Sequence, residues 1–159
     1  MSDYRLNVGD VAPDIELPIY PEGTLKLSDY RGQWVIVYFY PKDSTPGCTT
    51  ESCEFRDALP DFSAADAKIV GVSRDSLKSH ANFTTKQELN FPLISDTETL
   101  LCEAFDVWRL KKNYGKEYMG IERSTFIINP EGEVAQEWRK VRVKEHVADV
   151  LETLKGLQG

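Results

Sequence analysis

Trp34-Val35-Ile36-Val37-Tyr38-Phe39-Tyr40 is an unbroken apolar and aromatic run, rich in β-branched residues, that stops at Pro41. Side chains of a strand alternate between the two faces of a sheet, so a strand with no polar position must be covered on both. The run therefore demands a layered protein with a sheet in its middle. Ile69–Val72 is a second run of the same kind, and Phe91–Ile94 is a shorter candidate.

The covering layers are legible as helical periodicity. Phe55, Ala58, Leu59 and Phe62 recur at i, i+3, i+4 and i+7, which predicts a helix bent near Pro60. Ser76–Glu88 reads as a helix of weaker periodicity, and Leu101, Ala104, Phe105 and Trp108 repeat with helical spacing. Val147, Val150, Leu151 and Leu154 give a last amphipathic helix. Two hairpins complete the pattern. Ile15–Leu17 and Thr24–Leu27 flank a turn at Pro18–Gly23, and Ser124–Ile128 and Glu133–Trp138 enclose Asn129-Pro130-Glu131-Gly132. The expected fold is α/β, with a central mixed sheet flanked by helices and an N-terminal hairpin extension. At 159 residues the chain suits one domain spanning residues 1–159.

A formal charge of −7 argues against a phosphate-backbone binder, so no nucleic-acid partner is expected. The start, Met1-Ser2-Asp3-Tyr4-Arg5, lacks an apolar signal core, and no run approaches membrane-spanning length. A cytoplasmic location with no membrane partner is the expectation. Three cysteines is an odd number for a disulfide framework in such a setting, so each is either a buried small hydrophobe or chemically active.

Cys48 is the candidate for chemistry. It follows Tyr40-Pro41-Lys42-Asp43-Ser44-Thr45-Pro46-Gly47, where a buried strand ends and a helix begins. Crevices at strand C-termini are where α/β proteins bind ligands. Pro46 suits the first helical position, which makes Thr45 the N-cap and Cys48 the third helical residue. An N-cap hydroxyl commonly accepts from that third N–H, so Thr45 is expected beside the cysteine. The positive end of the helix favours an ionised, nucleophilic sulfur. Cys53 offers a second thiol. Five residues along a helix rise roughly 7.5 Å and turn about 140°, leaving the Cα atoms about 8.7 Å apart. A disulfide needs them within about 7 Å, so a bridge between the two requires the first helical turns to unwind.

Pro-x-x-x-Thr-x-x-Cys, here Pro41, Thr45 and Cys48, resembles the signature of the peroxiredoxins. Phe39-Tyr40-Pro41 and Thr45-Pro46-Gly47-Cys48-Thr49 are similar to their Q-type branch, the bacterioferritin comigratory proteins. Weaker matches run along nearly the whole chain: Gly9-Asp10-x-Ala12-Pro13-Asp14, Ser95-Asp96, Phe105-x-Val107-Trp108 and Arg123-Ser124-Thr125-Phe126. The resemblance implies a thioredoxin-like fold and a peroxidase for hydrogen peroxide or organic hydroperoxides. Cys48 would be oxidised to a sulfenic acid and Cys53 would resolve it as a disulfide. Thr45 would hydrogen-bond peroxide and sulfur, Pro41 would shield the pocket, and Arg123 would stabilise the thiolate and the developing charge. Glu51, one turn beyond Cys48, could orient Arg123. The same likeness implies thioredoxin or a similar dithiol reductant, no metal, no cofactor and a monomer.

Blander readings stand beside these. Cys53 could be a surface bystander, and Cys102, within a helical apolar pattern, reads as core or as an alternative thiol partner. His80 and His146 read as helix-surface residues, with no zinc-like spacing to the cysteines. Arg109-Leu110-Lys111-Lys112 and the cluster Arg139, Lys140, Arg142 and Lys144 read as solvated basic faces that could dock an acidic reductant. A thioredoxin-type disulfide reductase would want Cys-x-x-Cys, which is not the spacing here. A non-catalytic peroxide sensor using the same disulfide is the remaining alternative function.

Overall fold

The computed structural model describes residues 4–159; Met1–Asp3, part of the N-terminal segment read above, lie outside them. Strands β1 (Leu17–Tyr20), β2 (Thr24–Leu25), β3 (Trp34–Phe39), β4 (Ala67–Ser73), β5 (Leu93–Ser95), β8 (Ser124–Ile128) and β9 (Val134–Arg139) form one seven-stranded mixed sheet. Its order is β2-β1-β5-β4-β3-β8-β9, with β3 parallel to β4 and antiparallel to β8. Strands β6 (Trp108–Asn113) and β7 (Lys116–Ile121) make a separate two-stranded ribbon. Four α-helices connect these elements: α1 (Pro46–Ala64), α2 (Leu77–Gln87), α3 (Leu100–Ala104) and α4 (His146–Gln158).

The strand at Trp34 is covered on both faces, as its composition requires. Val35, Val37 and Phe39 point into one core with Val70, Val72, Ile94, Phe105 and Phe126. Ile36, Tyr38 and Tyr40 point into the other, with Phe55 and Phe62 of α1, Phe83 of α2 and Val147, Val150 and Leu154 of α4. Tyr38 stacks on Phe55 with ring centroids 4.6 Å apart, locking α1 against the central strand. The helix continues through Pro60, which lies inside it. Ser76 caps α2 by accepting from Ser79 N–H at 3.1 Å, the side-chain bond expected of a serine at that position.

Several local expectations are corrected. The first hairpin joins the main sheet: β1 pairs with β5, so the hairpin forms one edge of it. Pro18, Ile19 and Tyr20 belong to the strand, and the turn is confined to Pro21–Gly23. Trp108 is not helical. Helix α3 ends at Ala104, and Trp108 opens β6, half-buried against the core with the Arg74 guanidinium 5.1 Å from its ring centroid. The basic run Arg109–Lys112 lies in the β6–β7 ribbon, whose Tyr114-Gly115 turn takes positive φ at both residues. Cys102 is fully buried in the core, and burial together with the Asp96 carboxylate pushes its thiol far up.

Candidate active site

The strand β3 delivers the chain at Tyr40 to a loop whose course is fixed by Asp43. That carboxylate accepts from Tyr40 O–H at 2.6 Å and Ser79 O–H at 2.8 Å, and meets His80 Nδ1 at 2.7 Å. His80 Nε2 lies 3.0 Å from the Ile94 carbonyl. His80 is thus fully buried and pins α2 to the loop, contrary to the surface position expected of it. Neither Asp43 nor His80 belongs to a periodic apolar pattern, so only their tertiary neighbours reveal that they are interior.

The loop ends at Thr45, which has extended backbone (φ −84°, ψ 153°) and caps α1, with Pro46 in the first turn. Its hydroxyl does not cap the helix as expected. It donates instead to the Lys42 carbonyl at 2.9 Å, closing the turn from the other side. The helical ladder begins at Thr49 N–H to Thr45 C=O, so the N–H groups of Gly47 and Cys48 precede it and face the helix mouth. A helix N-terminus of this kind favours anions.

Cys48 is buried at the base of this turn. Arg123, immediately before β8, reaches across the helix start, and its Nη2 donates to Cys48 Sγ at 3.2 Å. Nη1 donates to Glu51 Oε1 at 2.6 Å. A Cβ at Gly47 would sit 3.2 Å from Arg123 Nη2, so the bare glycine lets the guanidinium lie close over the turn. The Arg123 carbonyl accepts from Val141 N–H at 2.9 Å, which fixes the backbone behind the side chain. Of the residues marked in the sequence, Cys48, Arg123 and Glu51 therefore meet directly. Pro41 and Thr45 are half-buried in the loop leading to the helix.

Glu51 is fully buried, and burial pushes its carboxyl up to about 7 against the opposing pull of Arg123. Its second oxygen, Oε2, is buried without a hydrogen-bond partner and lies 3.9 Å from His146 Nε2. His146 is the first residue of α4, yet its ring is buried, with Nε2 2.7 Å from Thr125 Oγ1. Burial lowers its proton affinity to about 4, so the ring is neutral near pH 7. This residue was expected on the surface. No sequence signal marks it, because what buries it is the docking of α4 beside α1.

Cys53 lies on the same uninterrupted helix, half-buried, with its thiol 3.4 Å from Gln87 Oε1 of α2. Cys48, Cys53 and Cys102 are all free thiols. Bringing Cys53 to Cys48 would break the Glu51–Arg123 pair and the 2.8 Å hydrogen bond between Ser52 and Tyr38, since both residues sit between the two cysteines.

The chain is similar to known proteins over nearly all of its length. The model of the AhpC/TSA family matches residues 8–137. Peroxiredoxin Bcp of Bacillus subtilis is 57% identical over 152 residues, covering 96% of this chain and 97% of that protein. Peroxiredoxin Bcp of Xanthomonas campestris is 52% identical, covering 98% and 97% respectively. The bacterioferritin comigratory protein of Xanthomonas campestris, solved in trapped intermediate and ligand complexes bearing on its alkyl peroxide reduction activity, superimposes with a TM-score of 0.90. It is 50% identical, with 99% of this chain and 100% of that one covered. A mutant of Xylella fastidiosa PrxQ gives a TM-score of 0.94 at 44% identity, covering 98% and 99%.

Proposed function

The chain belongs to the AhpC/TSA family and within it to the Bcp/PrxQ peroxiredoxins, and from that premise we propose that Cys48 is the sulfur on which this thiol-dependent peroxidase works. The observation that carries the assignment is the Arg123 guanidinium, 3.2 Å from Cys48 Sγ and hydrogen-bonded to the buried Glu51 side chain. An arginine stays charged at any relevant pH and presents donors to both sulfur and oxygen.

The Cys48 thiolate attacks one peroxide oxygen. The S–O bond forms as the O–O bond breaks, leaving a sulfenic acid while the departing oxygen takes a proton to become water or alcohol. Negative charge moves from sulfur to that oxygen during the step. Arg123 and the Gly47 and Cys48 N–H groups converge on the region where it develops, and such fixed donors favour the transition state over the ground state. Thr45 has committed its proton to Lys42, so its oxygen is left to accept from the peroxide hydroxyl. Pro41 walls the approach.

Cys53 then resolves the sulfenic acid after the first turns of α1 unwind, releasing water and forming the disulfide. A dithiol protein of the thioredoxin type restores both thiols by exchange. Residues 1–159 act as one catalytic unit, a monomer in a reducing cytoplasm; among the described residues no helix is long and apolar enough to cross a membrane.

The test is peroxide consumption coupled to thioredoxin and its reductase. Cys48→Ser should show none. Cys53→Ser should gain one oxygen by mass and then stop. Thioredoxin-coupled turnover at the unaltered rate in Cys53→Ser would reassign resolution to another thiol. One oxidation of the unaltered chain with no recycling would favour a sensor over an enzyme.

A further inference from the structure

Behind the peroxidatic sulfur lies a feature that the reaction as described does not use. Glu51 Oε1 is engaged by Arg123, but Oε2 is buried with no donor, and His146 Nε2 lies 3.9 Å from it. A buried ionised oxygen left bare is unfavourable, whereas a protonated one can donate. The ring that would receive that proton is held in place on three sides. Thr125 of β8 holds Nε2, the edge of Phe55 in α1 stands at 90° to the ring, and Trp138 of β9 stands at 84°.

We propose that Glu51 and His146 form a proton-holding couple, with a proton on Glu51 Oε2 directed at His146 Nε2 in the reduced protein and His146 acting as a positioning residue for the peroxide step. The inference rests on Cys48 being the peroxidatic sulfur. Closing the gap to hydrogen-bond length needs a shift of about 1 Å and displaces the Thr125 hydroxyl, now 2.7 Å away, from the single acceptor site on Nε2.

Charge balance supplies the reason for such a couple. With Cys48 ionised, an ionised Glu51 would put two anions against the single Arg123 cation in a buried site. A protonated Glu51 leaves the Arg123 charge to the sulfur while Oε1 still accepts from Nη1. Once Cys48 becomes a neutral sulfenic acid, Arg123 lacks an anionic partner and Glu51 becomes its counter-ion. The balanced step is Cys48–S⁻ + ROOH + Glu51–COOH → Cys48–SOH + ROH + Glu51–COO⁻. Sulfur is oxidised by two electrons, the peroxide is reduced, and the proton consumed by the leaving oxygen is matched by the one Glu51 gives up. The His146 ring also lines the groove between β9 and α4, beside Arg142, Lys144 and Asp149, which gives the couple a route for proton exchange with solvent. The other groups facing the couple are Glu54 on α1 and Tyr38 on β3 toward Glu51, and Asp149 on α4 and Arg123 toward His146.

The experiment uses the full chain carrying Cys53→Ser, which halts at the sulfenic acid, oxidised with one equivalent of hydrogen peroxide at pH 7. The infrared difference spectrum should lose the carbonyl band of a protonated carboxyl group as Cys48 gains one oxygen by mass. Glu51→Gln should lack that band, and His146→Phe should displace it and slow the single-turnover peroxide reaction severalfold. His146→Gln, which keeps a side-chain amide near Glu51, should recover part of that rate; it also serves should the phenylalanine variant not fold. Proton uptake followed with an indicator dye should fall below one per sulfur in the parent and rise in Glu51→Gln. No carboxyl band, equal uptake in the two proteins, or a band unmoved by both His146 substitutions overturns the couple. A sulfur that gains no oxygen overturns the peroxidase reading, and the mass distinguishes that failure from the others.

Discussion

Glu51→Gln should make the protein's stability respond to pH in a calculable way. The substitution keeps the shape of the side chain and leaves a carbonyl to accept from Arg123, but it removes the titration. An ordinary glutamate loses its proton near 4.5 and Glu51 near 7. Each pH unit in that interval carries about 1.4 kcal/mol, so the interval amounts to about 3 kcal/mol. The sign follows from which state holds the proton. Below 4.5 folded and unfolded chains are both protonated at this residue and nothing changes with pH. Between 4.5 and 7 the unfolded carboxyl has ionised while the folded one has not, so stability falls as pH rises, and it levels off above 7. His146 works the other way: its proton affinity is depressed from 6.5 to about 4, and stability is lost as pH falls through that interval. That contribution is common to both proteins. The measurement is urea unfolding of the reduced parent and variant at steps from pH 4.5 to 8. The stability of Glu51→Gln relative to the parent should rise by about 3 kcal/mol across the range. A difference flat in pH, or one that shrinks as pH rises, would refute the claim that burial dominates over Arg123 at this carboxyl.

Arg123→Ala removes the donor 3.2 Å from the sulfur, and single-turnover oxidation by peroxide should slow by about 10²–10³-fold; an unaltered rate constant takes Arg123 out of the site. Cys102→Ala should leave turnover unchanged while costing about 1 kcal/mol in denaturant unfolding, because a sulfur leaves a packed core. Loss of thioredoxin-coupled turnover there would instead give Cys102 a redox role. Amide exchange on the disulfide form should show protection lost over residues 48–53 of α1 and retained in β3, whose bonds to β4 and β8 are untouched. Protection kept through the helix start would mean that the bridge forms without unwinding.

The sheet was legible because its evidence is local. A run such as Trp34–Tyr40 can be read as doubly buried without knowing what covers it, since an apolar strand has the same requirement in any fold. The helix start at Cys48 was legible for the same reason: Thr45, Pro46 and the cysteine lie within four residues, and capping geometry operates at that range. Even there the Thr45 hydroxyl turned to the Lys42 carbonyl, a choice between two nearby partners that residue types do not decide. The β6–β7 ribbon escaped because its outer strands are mostly exposed and leave little alternation to read.

Charged and polar interior residues were beyond reach for a different reason. His80, His146 and Asp43 look like surface residues in the chain because burial of a polar group is permitted only by its partners, and those partners come from elsewhere; Glu51 was legible only through the family resemblance that set it beside Arg123. Asp43 and His80 are separated by 37 residues and Glu51 and Arg123 by 72. By itself the sequence marked Cys48 as the candidate for sulfur chemistry and indicated which scaffold carries it. Only the tertiary structure decided which protons and charges surround that sulfur, because electrostatics in a buried site depends on distances that chain order does not set.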